Sequence, residues 1–86
     1  NENNWLFKLD SRLKSRLIGA HGGARKNIER MTNTDIVIYG KTVGIIGKAD
    51  AVGLARNAIE KLLMGAPHGN VYKYIEMQLK REDYRD

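Results

Sequence analysis

At 86 residues the chain has room for one domain with a modest core, and its 42% hydrophobic content is ordinary for a folded protein. It has no cysteine and only two histidines, His21 and His68, far apart in sequence. This excludes disulfides, thiolate zinc sites and cysteine nucleophiles, argues against a histidine metal site, and fits a reducing compartment such as the cytoplasm. The net charge of +5 points towards polyanions, while no apolar run approaches a membrane span and no signal peptide is visible.

The placement of charge says more than its sum. Residues 1–30 carry seven basic side chains against three acidic ones, residues 31–64 four against three, and residues 65–86 four against four. The opening residue is not Met, which fits a piece of a longer protein.

From about Asn3 to Arg16, Trp5, Leu9 and Leu13 recur every four residues, Leu6 fills the same side and Leu17 continues the row. That spacing predicts a helix with no strand before it. Lys8, Arg12, Lys14 and Arg16 then fall on the remaining surface, and Trp5 and Phe7 read as core or edge packing rather than base-stacking platforms.

The stretch Ile18-Gly19-Ala20-His21-Gly22-Gly23 comes next, and the chain is organised around it. Glycine lets another molecule approach the main chain closely. Ala24 to Met31 reads as a helix, so the loop ends at a helix N-terminus, where free N–H groups and the dipole favour an anion. Arg25 and Lys26 follow at once. A backbone-phosphate clamp needs these features; a tight helix–helix connector needs only the glycines.

In this second helix Ala24, Ile28 and Met31 face inward and Arg25, Lys26, Glu29 and Arg30 outward or along a groove. Thr32-Asn33-Thr34 ends it. Asp35–Tyr39 is a strand by composition, Gly40-Lys41 suits a two-residue hairpin turn, and Thr42–Ile46 is the return strand. That turn pairs Tyr39 with Thr42, Ile38 with Val43 and Ile36 with Ile45, leaving a partly polar outer face with Val37, Tyr39 and Ile46.

After Gly47-Lys48 a helix runs from about Ala49 to Met64, with an apolar stripe of Ala51, Leu54, Ala55, Ala58, Ile59, Leu62 and Leu63, and Gly65 suits its C-terminal cap. Ala66-Pro67-His68-Gly69 is a sharp connection, and Asn70 is expected to cap a last helix to about Asp83, with Val71, Ile75 and Leu79 four apart. The fold class is a single α+β domain, residues 1–86, in the order helix, glycine loop, helix, strand, strand, helix, helix, with the extra C-terminal helix at about 70–83.

Ile18-Gly19-Ala20-His21-Gly22, then Ile28 and Thr32, then a hairpin and a helix, resembles the type I K-homology (KH) domain over about residues 13–64. The resemblance implies that the Gly-x-x-Gly loop clamps the backbone of a single strand while a groove holds about four nucleotides. By position, Gly19, Ala20, His21 and Gly22, with Gly23 beside them, would meet the backbone. Ile18, Arg25 and Ile28 would line one wall of the groove, and Ile36, Val37 and Ile38 the other, reading base edges. Two features depart from the family: Arg25 stands where a large aliphatic is usual, and the usual first strand is not evident.

Arg16-Leu17-Ile18-Gly19, Tyr39-Gly40-Lys41-Thr42-Val43 and Gly65-Ala66-Pro67-His68-Gly69 with Val71-Tyr72 resemble the archaeal Dim/Pno/Krr group of KH proteins over nearly the whole chain. This narrower resemblance implies a small-ribosomal-subunit assembly factor acting on single-stranded RNA near the 3′ end of small-subunit rRNA. It implies as partners the endonuclease that matures that end and the α subunit of initiation factor two. Such proteins carry two KH units, of which the second keeps the Gly-x-x-Gly; this chain resembles that second unit.

The leading expectation is a non-catalytic RNA-binding module without cofactor, metal or membrane contact. Lys14, Arg16, Arg25 and Lys26 supply electrostatic attachment, so that affinity falls steeply with salt. The alternative is a protein-docking adaptor in ribosome assembly or translation initiation with little intrinsic RNA affinity. A nucleotide-handling enzyme fares worst: there is no Gly-x-x-x-x-Gly-Lys-Ser/Thr loop, and Lys26 is followed by Asn27.

Overall fold

A computed structural model describes residues 2–8, 11–18 and 23–85, with side chains for residues 6, 8, 11–18 and 23–81. In chain order the elements are β1 (Glu2–Lys8), α1 (Ser11–Ile18), α2 (Gly23–Thr32), β2 (Asp35–Tyr39), β3 (Thr42–Lys48), α3 (Ala49–Leu63) and α4 (His68–Arg85). The α+β class is as expected, but the N-terminal segment is not.

Residues 2–8 form a strand, antiparallel to β3, from Glu2 opposite Lys48 to Lys8 opposite Thr42. The sheet is therefore three-stranded, in the order β1-β3-β2. The physical reason is tertiary. A two-stranded hairpin leaves β3 with an unpaired edge and is marginal in water. A third strand satisfies those backbone groups, and this outweighs the four-residue spacing of Trp5, Leu9, Leu13 and Leu17 at its N-terminal end. The helix expected from Asn3 begins instead at Ser11.

The hairpin has the register that its turn dictates: Tyr39 lies opposite Thr42, Ile38 opposite Val43 and Ile36 opposite Ile45. Gly40 supplies the positive φ of +51° that the turn requires. Ile36, Val43 and Ile45 are buried on the inner face. They meet Leu17 of α1, Ala24 and Ile28 of α2, Ala55, Ala58, Ile59 and Leu62 of α3, and Val71 and Ile75 of α4 in one core. Val52 completes the α3 stripe, whereas Ala51, Leu54 and Leu63 are only half-buried.

Two helix ends explain the turns of the chain. At the end of α2, Asn33 takes φ +56° and the Thr34 N–H donates to the Glu29 carbonyl at 3.2 Å. Thr32 Oγ1 donates to the Ile28 carbonyl at 2.7 Å and lies 2.8 Å from Thr34 Oγ1, which satisfies both buried hydroxyls. At the end of α3, Gly65 takes φ +107°, its N–H donates to Leu62 O, and the Ala66 N–H donates to Lys61 O. This pair of bonds is a Schellman motif, with Gly65 at the position where a Cβ is disfavoured.

The last helix starts earlier than its sequence suggests. Asn70 lies inside α4, and its N–H and that of Val71 both donate to the Pro67 carbonyl, at 3.1 and 3.2 Å. Proline has no N–H to lose before the first turn, so Pro67 rather than Asn70 opens the helix. Among the described residues no helix is long and apolar enough to cross a membrane.

Candidate RNA-binding groove

Between α1, α2 and the free edge of β2 lies a groove of about 740 Å³. Lys14 and Ile18 reach it from α1, Arg25 and Glu29 from α2, Asp35 to Ile38 from β2, and Ile46 from β3. Six residues singled out from the sequence meet here: Lys14, Ile18, Arg25, Ile36, Val37 and Ile38. The groove has a largely apolar lining, with Lys14 on the α1 side, the Arg25–Glu29 pair on α2 and Asp35 at the start of β2, which suits bases against the strand and a phosphate beside Lys14.

The sides of the groove follow from local structure. α1 turns Leu17 into the core and so leaves Ile18, the next residue, half-open at its C-terminal end. Along α2, Ala24 and Ile28 are buried, so Arg25 and Glu29, one turn apart, share the adjacent face and look across at β2. β2 is an edge strand, and one side of its backbone is left to the groove.

At Ile36 that backbone is already engaged. Its N–H donates to Glu29 Oε2 at 2.6 Å, and its carbonyl accepts from Arg25 Nη1 at 3.1 Å. The same Nη1 lies 3.1 Å from Glu29 Oε1, so the guanidinium and carboxylate are joined to each other as well as to the strand. Arg25, set where an aliphatic is usual, thus fastens α2 to β2.

Other residues singled out from the sequence lie elsewhere. Ile28 is 0% exposed and belongs to the core, so it lines no wall of the groove. Arg16 is turned to the opposite side of α1, where its Nε donates to Leu62 O at 2.9 Å and its Nη2 to Ala66 O at 3.0 Å. Its charge sits against the carbonyl end of α3, a favourable place for a cation and one that gives it a structural task instead of a phosphate contact. Lys26 is exposed on α2 outside the groove, and Gly23 is the half-buried first residue of that helix. Gly19, Ala20, His21 and Gly22 lie outside the described residues. The side chains of Trp5 and Phe7 do so too, although their backbone belongs to β1.

From the sequence Glu29 is expected outward or along a groove but without a role there, Asp35 only as part of the β2 wall, and Ile46 is not singled out as a groove residue. Asp35 and Ile46 lie opposite each other in the hairpin register, so the register placed them at one level of the sheet. Glu29 had a weaker signal, its spacing of four from Arg25.

A three-stranded antiparallel sheet backed by helices, with a groove between a helix–helix elbow and an edge strand, defines a KH domain of type I, a single-stranded RNA-binding fold. The chain belongs to this family: residues 8–80 match the eukaryotic-type KH domain (KH-domain type I) in the form of the second KH unit of PNO1. A KH domain-containing protein of Methanocaldococcus jannaschii is 41% identical over 70 residues, which are 81% of this chain and 31% of that protein. The pre-rRNA-processing protein PNO1 of Chaetomium thermophilum is 37% identical over 71 residues, 83% of this chain and 27% of that protein. Among solved structures, a chain of the a/eIF2alpha–aDim2p–rRNA complex from Pyrococcus horikoshii matches with a TM-score of 0.85 and 40% identity, covering 93% of this chain and 48% of that one. The chain thus spans about a third of the length of these curated relatives.

Proposed function

We propose that this domain binds single-stranded RNA of the small ribosomal subunit, near the 3′ end of its rRNA, during pre-rRNA processing and subunit assembly. The observation that carries the reading is the groove. Ile18 and Gly23, the residues that flank Gly19–Gly22, belong to the two helices that form its elbow, and Ile36, Val37 and Ile38 line the facing strand. A strand of RNA held by its phosphates at the glycines would lay its bases between Ile18 and β2, with Lys14 beside the backbone. The relatives support the biological setting, one through pre-rRNA processing and one through an assembly that holds both rRNA and an initiation-factor α subunit. By that likeness the α subunit of initiation factor two is a partner. The rRNA-maturing endonuclease is a second, on family resemblance alone. The domain acts by binding, without catalysis, in the cytoplasm.

The test compares the chain with its Ala20→Asp/His21→Asp variant on a short single-stranded RNA copied from the 3′ end of small-subunit rRNA, at two salt concentrations. Binding by the first, lost in a folded variant and weakened by salt, supports the clamp. Equal binding by both places the contact elsewhere.

The docking-adaptor reading has its own observation. On the outer sheet face Leu6 is 77% and Tyr39 76% exposed, with Val37 and Ile46 beside them around a shallow pocket of about 320 Å³. No RNA binding at low salt by the folded wild type would favour that face as the working surface.

A further inference from the structure

We propose that Glu29 limits how many bases the groove reads, by holding one base-reading position on the edge of β2 closed from within the chain; the inference rests on the RNA-binding reading above. In an antiparallel pair, opposed residues alternate between bonding each other and turning their N–H and C=O away. Ile36 turns both groups away from β3, towards Glu29 and Arg25. Ile38 lies two residues further along the same strand, so its groups leave by the same edge. Among the described residues no side chain is bonded to Ile38 there. The edge therefore has two equivalent positions, one occupied and one open.

What occupies the first position has the hydrogen-bonding pattern of a nucleobase edge. Glu29 presents an acceptor to the Ile36 N–H, and Arg25 presents a donor to the Ile36 carbonyl. The two are braced against each other by their own ion pair, and both side chains are only partly exposed. A base entering at Ile36 would have to displace charge-assisted bonds and leave a carboxylate without its donors, whereas a base entering at Ile38 displaces only water. Glu29 also neutralises Arg25, so this wall offers phosphate no net positive charge and the RNA backbone is kept on the α1 side, beside Lys14.

The experiment uses the whole chain and a single-stranded RNA copied from the 3′ end of small-subunit rRNA, in which each nucleotide in turn is made abasic. Wild type, Glu29→Ala and Glu29→Gln are compared, and amide signals of Ile36 and Ile38 are followed by NMR. Glutamine keeps an acceptor for Ile36 but not the charge, so both variants bind more tightly overall. Only Glu29→Ala gains one further position where base removal lowers affinity about tenfold, the order expected for a two-bond base contact. In the wild type, RNA moves the Ile38 amide signal and leaves the Ile36 amide protected from exchange. The same number of sensitive positions in all three proteins, or loss of Ile36 protection when RNA binds to the wild type, overturns the proposal and leaves the RNA reading standing. Should Glu29→Ala fail to fold, the wild-type amide measurement decides alone. Absence of any wild-type binding at low salt overturns the RNA reading and this proposal with it.

Discussion

Arg16 donates through Nε to the carbonyl of Leu62 at 2.9 Å, joining the helix that leads into the glycine stretch to the end of α3. A second bond, from Nη2 to Ala66 at 3.0 Å, takes in the turn that leads to α4. Arg16→Ala is therefore expected to lower stability by about 2 kcal/mol, since both bonds come from a charged donor and two carbonyls lose it. Urea denaturation reads this directly. Below the midpoint, the salt dependence of RNA binding should match that of the wild type; a shallower slope would make Arg16 a phosphate ligand after all.

Lys14 lines the groove itself. Lys14→Gln is expected to weaken RNA binding to a similar degree for all sequences and to reduce the slope of log K against log salt by about 0.7, the value for one phosphate contact on a single strand. Titrations at three or four salt concentrations measure it. A sequence-dependent loss with unchanged slope would contradict a phosphate contact.

Gly65 has φ +107° in the turn that closes α3. Gly65→Ala should cost about 1–2 kcal/mol, because a Cβ is strained in that conformation although the surrounding space is open. A thermal melt that does not move would show that the turn can relax to negative φ.

Ile28 separates core from groove. Ile28→Ala is expected to cost about 2–5 kcal/mol as a cavity in the core, with RNA preference unchanged in whatever fraction remains folded. Chemical denaturation together with RNA titration well below the midpoint would show it. A changed base preference with little loss of stability would return Ile28 to the groove wall.

The sheet and helices differ in how well the sequence announced them. The pairing of Ile36 with Ile45 was legible because a two-residue turn at Gly40-Lys41 leaves one register open, and a slip by one residue would turn the isoleucines to solvent. β1 was not, because its identity comes from an edge of β3 far away in sequence, while Trp5, Leu9 and Leu13 kept a helical spacing. The groove positions Ile18, Arg25 and Ile36–Ile38 come from the family resemblance, residue by residue, since no spacing along the chain brings α1, α2 and β2 together. The destination of Arg16 was hidden for a different reason. Its acceptors are main-chain carbonyls near residue 65, and no side-chain pattern marks a carbonyl. The same holds for Glu29, whose acceptor role shows only once the N–H of Ile36 is seen to point at it.

The order β1-β3-β2 also bears on the sequence of events in folding. β2 and β3 close through a two-residue turn, and α2 and α3 flank them directly, so this part assembles through short loops with little entropy lost in closure. β1 has nothing to pair with until β3 is in place, and its contacts span about half the chain. The N-terminal strand is thus expected to dock late, onto a hairpin that α2 and α3 already support, and its amides to be among the first of the sheet to exchange in the native state.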